Sequence, residues 1–265
     1  MSTTIAVAGK GGVGKTTIAA MVVKYLIQNY SGAILAIDAD PSSNFHLVLG
    51  VDLEWTIGDI REEMLNKVKS SLAMGGAAMG SLSGGISKRE YLDYEVRSSI
   101  TEGKRFDLIA MGRPEGPGCY CAVNHNLREV MDAISSRYSY TVIDNEAGME
   151  HLSRRTTRDV EHLFIISDPT RRGLLAAQRI AELRNELDIN IANTYLILNR
   201  LNGEVPHPLT ELIQGIHVPF LGVVPTDEQL AELEFSGRPF VDLSTEATSY
   251  LAIKKMLDQL ELEPG

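Results

Sequence analysis

The chain is poor in cysteine, in aromatic side chains and in basic charge. Its 265 residues include two cysteines and one tryptophan, and aromatic residues make up 6%. Two cysteines cannot build a disulfide framework, and without an export signal they indicate a reducing cytoplasm. No run of about 18 apolar residues occurs, so we expect no transmembrane helix. A strand pattern begins almost at the first residue, which leaves no room for a signal peptide.

Acidic residues outnumber basic ones. The chain has 35 Asp and Glu against 25 Lys and Arg, a formal net charge of -10. An acidic surface repels phosphate backbones, which disfavours broad binding to nucleic acid. A membrane-binding helix would need a basic amphipathic face, whereas residues 254–263 contain two lysines and end acidic. We therefore expect neither nucleic acid nor a membrane as a partner.

Apolar runs alternate with helical patterns along the chain. Hydrophobic residues make up 44%, enough to bury one large core. The alternation predicts parallel βαβ units and an α/β fold, a doubly wound, mostly parallel sheet flanked by helices in a single domain over residues 1–265. The predicted strands cover residues 4–8, 33–38, 106–111, 140–144, 162–167, 194–199 and 218–223. Predicted helices include residues 15–29, 126–137 and 174–187.

Residues 70–87 interrupt this alternation because they are rich in Gly, Ser and small side chains. The composition predicts a flexible insertion within a lobe between the second and third strands. Its Met and Leu residues offer an adaptable contact surface. A mobile insertion without specific contacts explains the composition equally well.

A glycine-rich loop follows the first predicted strand. Residues 9–17, Gly-Lys-Gly-Gly-Val-Gly-Lys-Thr-Thr, fit the spacing G-x-x-x-x-G-K-[ST]. The glycines let backbone N–H groups converge on an anion, and the following helix adds partial positive charge. We expect Lys15 to reach the β- and γ-phosphates and Thr16 to ligate Mg²⁺. The nucleotide-binding residues predicted here are Gly11, Gly12, Val13, Gly14, Lys15, Thr16 and Thr17.

Lys10 is not required by a simple phosphate-binding loop, and by itself it is also explained as a solvated cation. With this lysine the loop resembles that of the deviant Walker A ATPases, the family of MinD, ParA and the nitrogenase iron protein. The resemblance implies a MinD-like P-loop fold with ATP or ADP as the nucleotide. It also implies a homodimer that forms with ATP, in which Lys10 reaches the partner's nucleotide as a catalytic residue alongside Lys15.

Two predicted strands end in carboxylates. Asp38 and Asp40 lie in Asp-Ala-Asp-Pro, and Asp144 ends an apolar run in the Walker B manner. Carboxylates at such ends hold Mg²⁺ through water or position the attacking water, although Asp also caps ordinary turns. The resemblance extends to these residues, since D-x-D-P and D-x-x-A-G are family patterns. It assigns the orientation of water to Asp40 and places Asp38 and Asp144 near Mg²⁺.

The strand over residues 194–199 ends in Asn199, followed by Arg200. In the family an Asn at this point reads the edge of adenine, and a segment after the next strand closes on the base. Here that segment includes Pro225. From the residues alone, an Asn-containing turn is an equal explanation.

Cys119 and Cys121 follow a Pro- and Gly-rich turn and precede a predicted helix. The N-terminus of a helix favours thiolates, the metal-binding form of cysteine. A closed tetrahedral thiolate site needs four ligands, so two chains placed face to face would complete one. Thiolates bind both nickel and zinc. A redox-active pair and an incidental pair remain alternatives.

The Cys-Tyr-Cys turn and the stretch Ala-Gly-Met-Glu-His-Leu (residues 147–152) bring the resemblance closer to the CooC-type accessory ATPases of nickel carbon monoxide dehydrogenase maturation and the related AcsF proteins. This resemblance implies Ni²⁺ or Zn²⁺ on Cys119 and Cys121 at the dimer interface. It also implies nickel insertion into an apo-enzyme, either carbon monoxide dehydrogenase or acetyl-CoA synthase. His125 and His151 are candidate extra ligands, but lone histidines more often serve as hydrogen-bonding residues.

Two other functions remain open at this point. One is a positioning or partition ATPase of the MinD/ParA kind, which would act on a membrane or on DNA. The other is a reductase with an Fe–S cluster at the interface of a dimer. The acidic charge disfavours the first, and the Cys-x-Cys spacing differs from the widely separated cysteines of the nitrogenase iron protein.

Overall fold

One eight-stranded sheet forms the centre of the protein. The structure is a computed structural model, and it describes residues 2–73, 87–113, 121–147, 159–184, 189–260 and 262. The strands are β1 (Thr3–Gly9), β2 (Ile34–Asp38), β3 (Thr101–Glu102), β4 (Asp107–Ala110), β5 (Tyr140–Asp144), β6 (Asp159–Ser167), β7 (Asn190–Asn199) and β8 (Phe220–Val224). Their order in the sheet is β3-β4-β2-β5-β1-β6-β7-β8. Only β3 and β4 pair antiparallel in the described sheet.

Helices connect most of the strands. They are α1 (Lys15–Asn29), α2 (Phe45–Leu49), α3 (Ile57–Ala73), α4 (Lys88–Ser98), α5 (Cys121–Ser135), α6 (Arg171–Leu183), α7 (His207–Gly215), α8 (Glu228–Ser236) and α9 (Thr248–Leu257). A 3-10 helix covers Phe240–Asp242. Within the described ranges, no helix has both the length and the apolar character needed to cross a bilayer.

The sheet has an apolar core on each face. On one face α1, α2 and α9 cover the strands, and Ile18, Phe45 and Tyr250 are fully or almost fully buried there. On the other face α3 to α7 supply buried residues such as Met64 and Leu174. Every residue of the central strands β1, β2 and β5 is buried, as expected of parallel strands covered on both sides. The predicted doubly wound fold is confirmed.

All seven predicted strands are present, but several predicted boundaries differ. The two-residue strand β3 was not predicted, because it is too short to show any alternation. Helix α6 begins at Arg171 rather than at residue 174, since Thr170 caps it by accepting a hydrogen bond from the Gly173 N–H at 3.0 Å. Polar residues in this first turn hid the helix start from the apolar pattern.

The predicted flexible segment, residues 70–87, is partly helical. Helix α3 extends through Ala73, and Ser87 begins α4 with a capping box in which its hydroxyl accepts from the Glu90 N–H. Residues 74–86 lie outside the described part of the chain. Residues 70–73, Ser-Ser-Leu-Ala, thus continue the last turn of α3, and the flexible insertion stays a prediction.

Candidate nucleotide-binding site

The glycine loop connects β1 to α1 at the carboxyl edge of the sheet. Gly12 and Gly14 have φ angles of 79° and 92°, a region that side-chain-bearing residues rarely adopt. A Cβ atom on Gly14 would lie 2.4 Å from Asn199 Nδ2, closer than any real contact. Glycine at this position is therefore required both by the backbone conformation and by the packing of β7 against the loop.

Two lysines of the loop have opposite environments. Lys15 is buried, and its Nζ donates to the Lys10 carbonyl oxygen at 3.3 Å. Lys10 itself is exposed. The loop thus holds one ammonium beneath its own backbone, where a phosphate would contact it, and directs the other towards solvent.

Asp38 and Asp144 meet at the ends of neighbouring strands. They are register partners in β2 and β5, and both are at most 1% exposed. The Asp38 carboxylate accepts from the Phe45 N–H at 2.9 Å and from the Asp40 N–H at 3.1 Å. Burial raises the pKa of Asp38 to about 6. Burial, with the nearby charge of Asp38, raises the pKa of Asp144 to about 7.

These raised pKa values indicate that burial outweighs the compensating positive charge of Lys15 at Asp144. The Thr16 hydroxyl donates to the Asp144 carboxylate, while Asp144 Oδ1 is buried and has no hydrogen-bond partner. A hydroxyl and carboxylate oxygens form the hard donor set that Mg²⁺ prefers, so the residues fit this cation. Thr16 would hold it directly, with Asp144 and Asp38 behind. Bound there, it would neutralise charge on the transferred phosphoryl group.

Asp40 occupies a different position from the buried pair. It is partly exposed and lies in the wall of the cavity above the loop. Its Oδ1 accepts from the Ser42 N–H at 2.8 Å, which sets the direction of the carboxylate. A carboxylate that faces the cavity is positioned to orient a water molecule, whereas Asp38 is too enclosed to do so.

The loop forms the floor of a cavity of about 670 Å³. One part is polar and contains the loop, Asp40 and the backbone after β5. The other part is bordered by α2, α8 and the 3-10 helix, with side chains including Leu47, Val48, Leu233 and Phe240. Glu234 and Arg238 also line this second part, so it combines apolar and charged side chains. The two parts give separate places for the phosphates and the base of a nucleotide.

Asn199 is engaged with the loop. Its Nδ2 donates to the Val13 carbonyl oxygen at 2.8 Å, and its Oδ1 accepts from the Arg200 N–H at 3.0 Å. Asn199 is 5% exposed and does not line the cavity, whereas Arg200 does. Arg200 also donates to the Gly12 carbonyl oxygen at 3.0 Å. Asn199 thus stabilises the glycine loop through its side-chain amide. Adenine recognition by this side chain stays a prediction.

The segment after β8 is fixed by two residues that the sequence analysis missed. Asn202 donates to the Thr226 hydroxyl at 2.6 Å and accepts from the Thr226 N–H at 3.1 Å. Asp227 caps α8 and also accepts from the Ser249 N–H at 2.8 Å. Pro225, the predicted base-side residue, is partly exposed beside them. An Asp directly before a helical pattern is a recognisable cap signal, but its second partner, Ser249, has no local signal.

Asn145 is a further residue that the motifs did not reveal. It follows Asp144 and is 1% exposed. Its backbone N–H and its Nδ2 both donate to the Val7 carbonyl oxygen, at 3.1 and 2.9 Å. This double contact ties the start of the segment after β5 to β1, next to the glycine loop.

The structure describes little of the predicted thiolate site. Cys121 is the first residue of α5, and His125 lies in the same helix. Cys119, Gly148 and His151 lie outside the described residues. Among the residues that are described, no group of three or more His, Cys, Asp or Glu side chains is arranged to hold a metal ion. The metal ligands therefore remain predictions.

A family comparison identifies the fold and its nucleotide site. Residues 4–240 match the model of CbiA, the CobQ/CobB/MinD/ParA nucleotide binding domain. The chain belongs to this family. Membership confirms the predicted P-loop ATPase, while the individual nucleotide-binding residues stay predictions.

Individual relatives cover almost the whole chain. An uncharacterized ATP-binding protein of Methanocaldococcus jannaschii, MJ0685, is 37% identical over 256 residues, 97% of each chain. The carbon monoxide dehydrogenase accessory protein CooC of Rhodospirillum rubrum is 29% identical over 243 residues, 91% of this chain and 90% of CooC. The septum site-determining protein MinD of Pyrococcus horikoshii, solved with Mg-ADP, matches with a TM-score of 0.67 at 22% identity, covering 98% and 96% of the two chains. That last likeness establishes the fold alone.

Proposed function

We propose that this chain is an ATP-hydrolysing maturation factor that dimerises on binding ATP, carries nickel or zinc on a Cys-x-Cys pair, and assists nickel insertion into carbon monoxide dehydrogenase or acetyl-CoA synthase. It acts as one domain, in the cytoplasm. The proposal joins the ATPase activity of the family to the 29% identity with CooC and to the cysteine spacing of this sequence.

The contrast between the two loop lysines carries the proposal. Lys15 is held under the loop by the Lys10 carbonyl group, so it serves the nucleotide of its own chain. Lys10 is exposed, and a simple phosphate-binding loop does not require it. We expect it to contact the phosphates bound by a second molecule placed against this edge of the sheet, as in an ATP-dependent homodimer.

Hydrolysis in this arrangement needs few reacting groups. Lys15 and the loop N–H groups would stabilise the charge on the phosphates, and Thr16 with the buried carboxylates would hold Mg²⁺. Asp40 orients the attacking water from the cavity wall. Lys10 of each chain would complete the site of the other, so hydrolysis would proceed in the dimer.

The cysteine pair would bind the metal cargo of this ATP-dependent dimer. Strand β4 lies next to β2, and the chain after β4 leads through Cys119 to Cys121 at the start of α5. Of the two cysteines the structure describes only Cys121, and we propose that both act at the same edge of the sheet as the glycine loop. Face-to-face dimerisation would bring four thiolates together, enough for one tetrahedral ion, with nickel or zinc as cargo.

Dimerisation is tested by sedimentation velocity with and without ATP. Wild type should shift from monomer to dimer with ATP, while Lys10→Ala should stay monomeric because it lacks the cross-interface cation. Lys104→Ala is the matched control, since Lys104 is also exposed but lies beside β3. An unchanged ATP-dependent shift in Lys10→Ala would refute the role of this lysine.

Metal binding is tested by equilibrium dialysis with zinc and with nickel in the presence of ATP. We expect about one ion per two chains, lost in Cys119→Ser/Cys121→Ser and retained in His125→Gln/His151→Gln. Full binding in the double cysteine variant would rule out the thiolate site. Visible absorbance after anaerobic purification would favour an Fe–S reductase instead, and ATP-dependent co-sedimentation with liposomes or DNA would favour a positioning ATPase.

A further inference from the structure

The outer face of α6 carries an isolated group of cations. Arg171, Arg172 and Arg179 are exposed, and Leu175 between them is 40% exposed. At 1.5 Å per residue the three arginines extend over about 12 Å, two turns of helix. We call these three arginines with Leu175 the α6 row.

The arginines of the α6 row have no partners within the described part of the chain. None of the three makes an ion pair or a side-chain hydrogen bond there. The nearest acidic residues in sequence are already engaged. Asp168 accepts from the Thr170 hydroxyl at 2.7 Å, and Glu182 accepts from Gln178 at 3.1 Å.

Three unpaired arginines within two helical turns form a local concentration of positive charge in a chain whose net charge is -10. On other helices, Arg97 pairs with Asp93 and Lys254 with Asp258, whereas Lys255 is a single exposed cation. Arginine offers a planar fork that binds carboxylates with two hydrogen bonds. Three unpaired guanidinium groups around an exposed leucine are complementary to an acidic segment with an apolar residue at its centre.

The α6 row begins beside the nucleotide loop. Strand β6 pairs with β1, with Gly9 opposite Ile166, and α6 starts five residues after Ile166. Lys10, directly after Gly9, is therefore an exposed cation on the same edge of the sheet. A molecule bound to the α6 row lies close to the residues that respond to ATP.

We propose that the α6 row docks an acidic segment of the protein that receives the metal. The inference rests on the proposed function for the identity of that protein, but the site stands on its own charge. A second copy of this chain is less suitable, because a face-to-face dimer brings two like-charged rows to one side. Duplex DNA is disfavoured by the overall charge and forms an outcome of the test.

The test is biolayer interferometry with immobilised apo-carbon monoxide dehydrogenase, apo-acetyl-CoA synthase, a helical Glu-rich peptide with a central leucine, and duplex DNA. Reversal of the row, Arg171→Glu/Arg172→Glu/Arg179→Glu, should weaken binding to the acidic partner about tenfold or more. Wild-type binding should weaken as salt is raised. The control reverses three exposed cations elsewhere, Lys104→Glu/Arg137→Glu/Lys255→Glu, and should bind as wild type does.

Equal binding by wild type and by the α6 variant overturns the proposal, and so does tighter wild-type binding to DNA than to the proteins and peptide. If neither apo-enzyme binds but the peptide binds only with the row intact, the docking site stands and the proposed client is wrong. Retained ATP hydrolysis in the α6 variant shows that the fold and the nucleotide site are intact.

Discussion

The floor and the rim of the nucleotide site are built in different ways. The floor consists of Lys15, Asp38 and Asp144, which are between 0% and 8% exposed. The rim includes Lys10 and Asp40, which face solvent or the cavity. Floor residues are held by their own chain before any ligand arrives, whereas rim residues find their partners only in a ligand or in a second molecule.

The floor is held at an electrostatic cost. Two neighbouring carboxylates are buried together, and burial raises the pKa of both Asp38 and Asp144. A cation bound there would remove the cost, so ligand binding and folding are coupled at the floor. At the rim the solvated charges cost the fold little, and changes there should affect activity more than stability.

The largest expected effect is at Gly14 in the floor. Gly14→Ala should lower the free energy of unfolding by about 3 kcal/mol, because it adds a left-handed backbone penalty to a clash with Asn199. Gly203→Ala is the matched control, with φ 81° but open space around it, and should cost about 1 kcal/mol. Urea unfolding measures both, and equal losses would show that packing of β7 on the loop contributes nothing.

At the rim, Asp40→Asn should reduce kcat for ATP hydrolysis about 100-fold, because the amide cannot orient the attacking water as a carboxylate does. Nucleotide affinity and unfolding free energy should change little, since the side chain is partly exposed. Asp52→Asn, an exposed aspartate outside the cavity lining, should behave as wild type. If Asp40→Asn lowers the free energy of unfolding but leaves kcat normal, Asp40 serves the fold as the buried floor residues do, and the prediction is wrong.

A smaller effect concerns Asp144 and pH in nucleotide-free protein. The pKa of Asp144 is about 7 in the folded protein and about 3.9 in the unfolded chain. Its contribution to the free energy of unfolding is therefore fully present below pH 4 and is lost as the pH rises through 7. Asp144→Asn removes the contribution of Asp144, while Asp38, with its pKa raised to about 6, keeps its own. The variant should melt about 5 °C higher than wild type at pH 8, with little difference at pH 4. Calorimetry across this range checks it, and a constant difference would contradict it.

Local patterns were sufficient for the elements that bear the site. The helix predicted over residues 15–29 has the same bounds in the structure, because its glycine start and its apolar character lie within one short stretch. The strand ends at Asp38 and Asp144 were also predicted, since each closes a continuous apolar run. What could not be predicted depends on contacts between distant segments.

Asn199 illustrates that difference. The family resemblance implies that Asn199 contacts the base, which stays a prediction, and no local pattern predicted that its amide donates to Val13, 186 positions away. The α6 row was likewise invisible, because no sequence pattern tells whether an arginine finds a carboxylate in space.

The sequence by itself determined the chemistry of this protein: the spacing of glycines, lysines and carboxylates defines a phosphate-binding loop with an added lysine, because the backbone geometry of such a loop is local. Only the tertiary structure decided which of those groups are buried and which remain exposed. Strand order places β2, β5 and β1 side by side, and burial in a sheet covered on both faces sets the charge of Asp38 and Asp144. The same packing leaves Lys10 and the α6 row exposed to solvent.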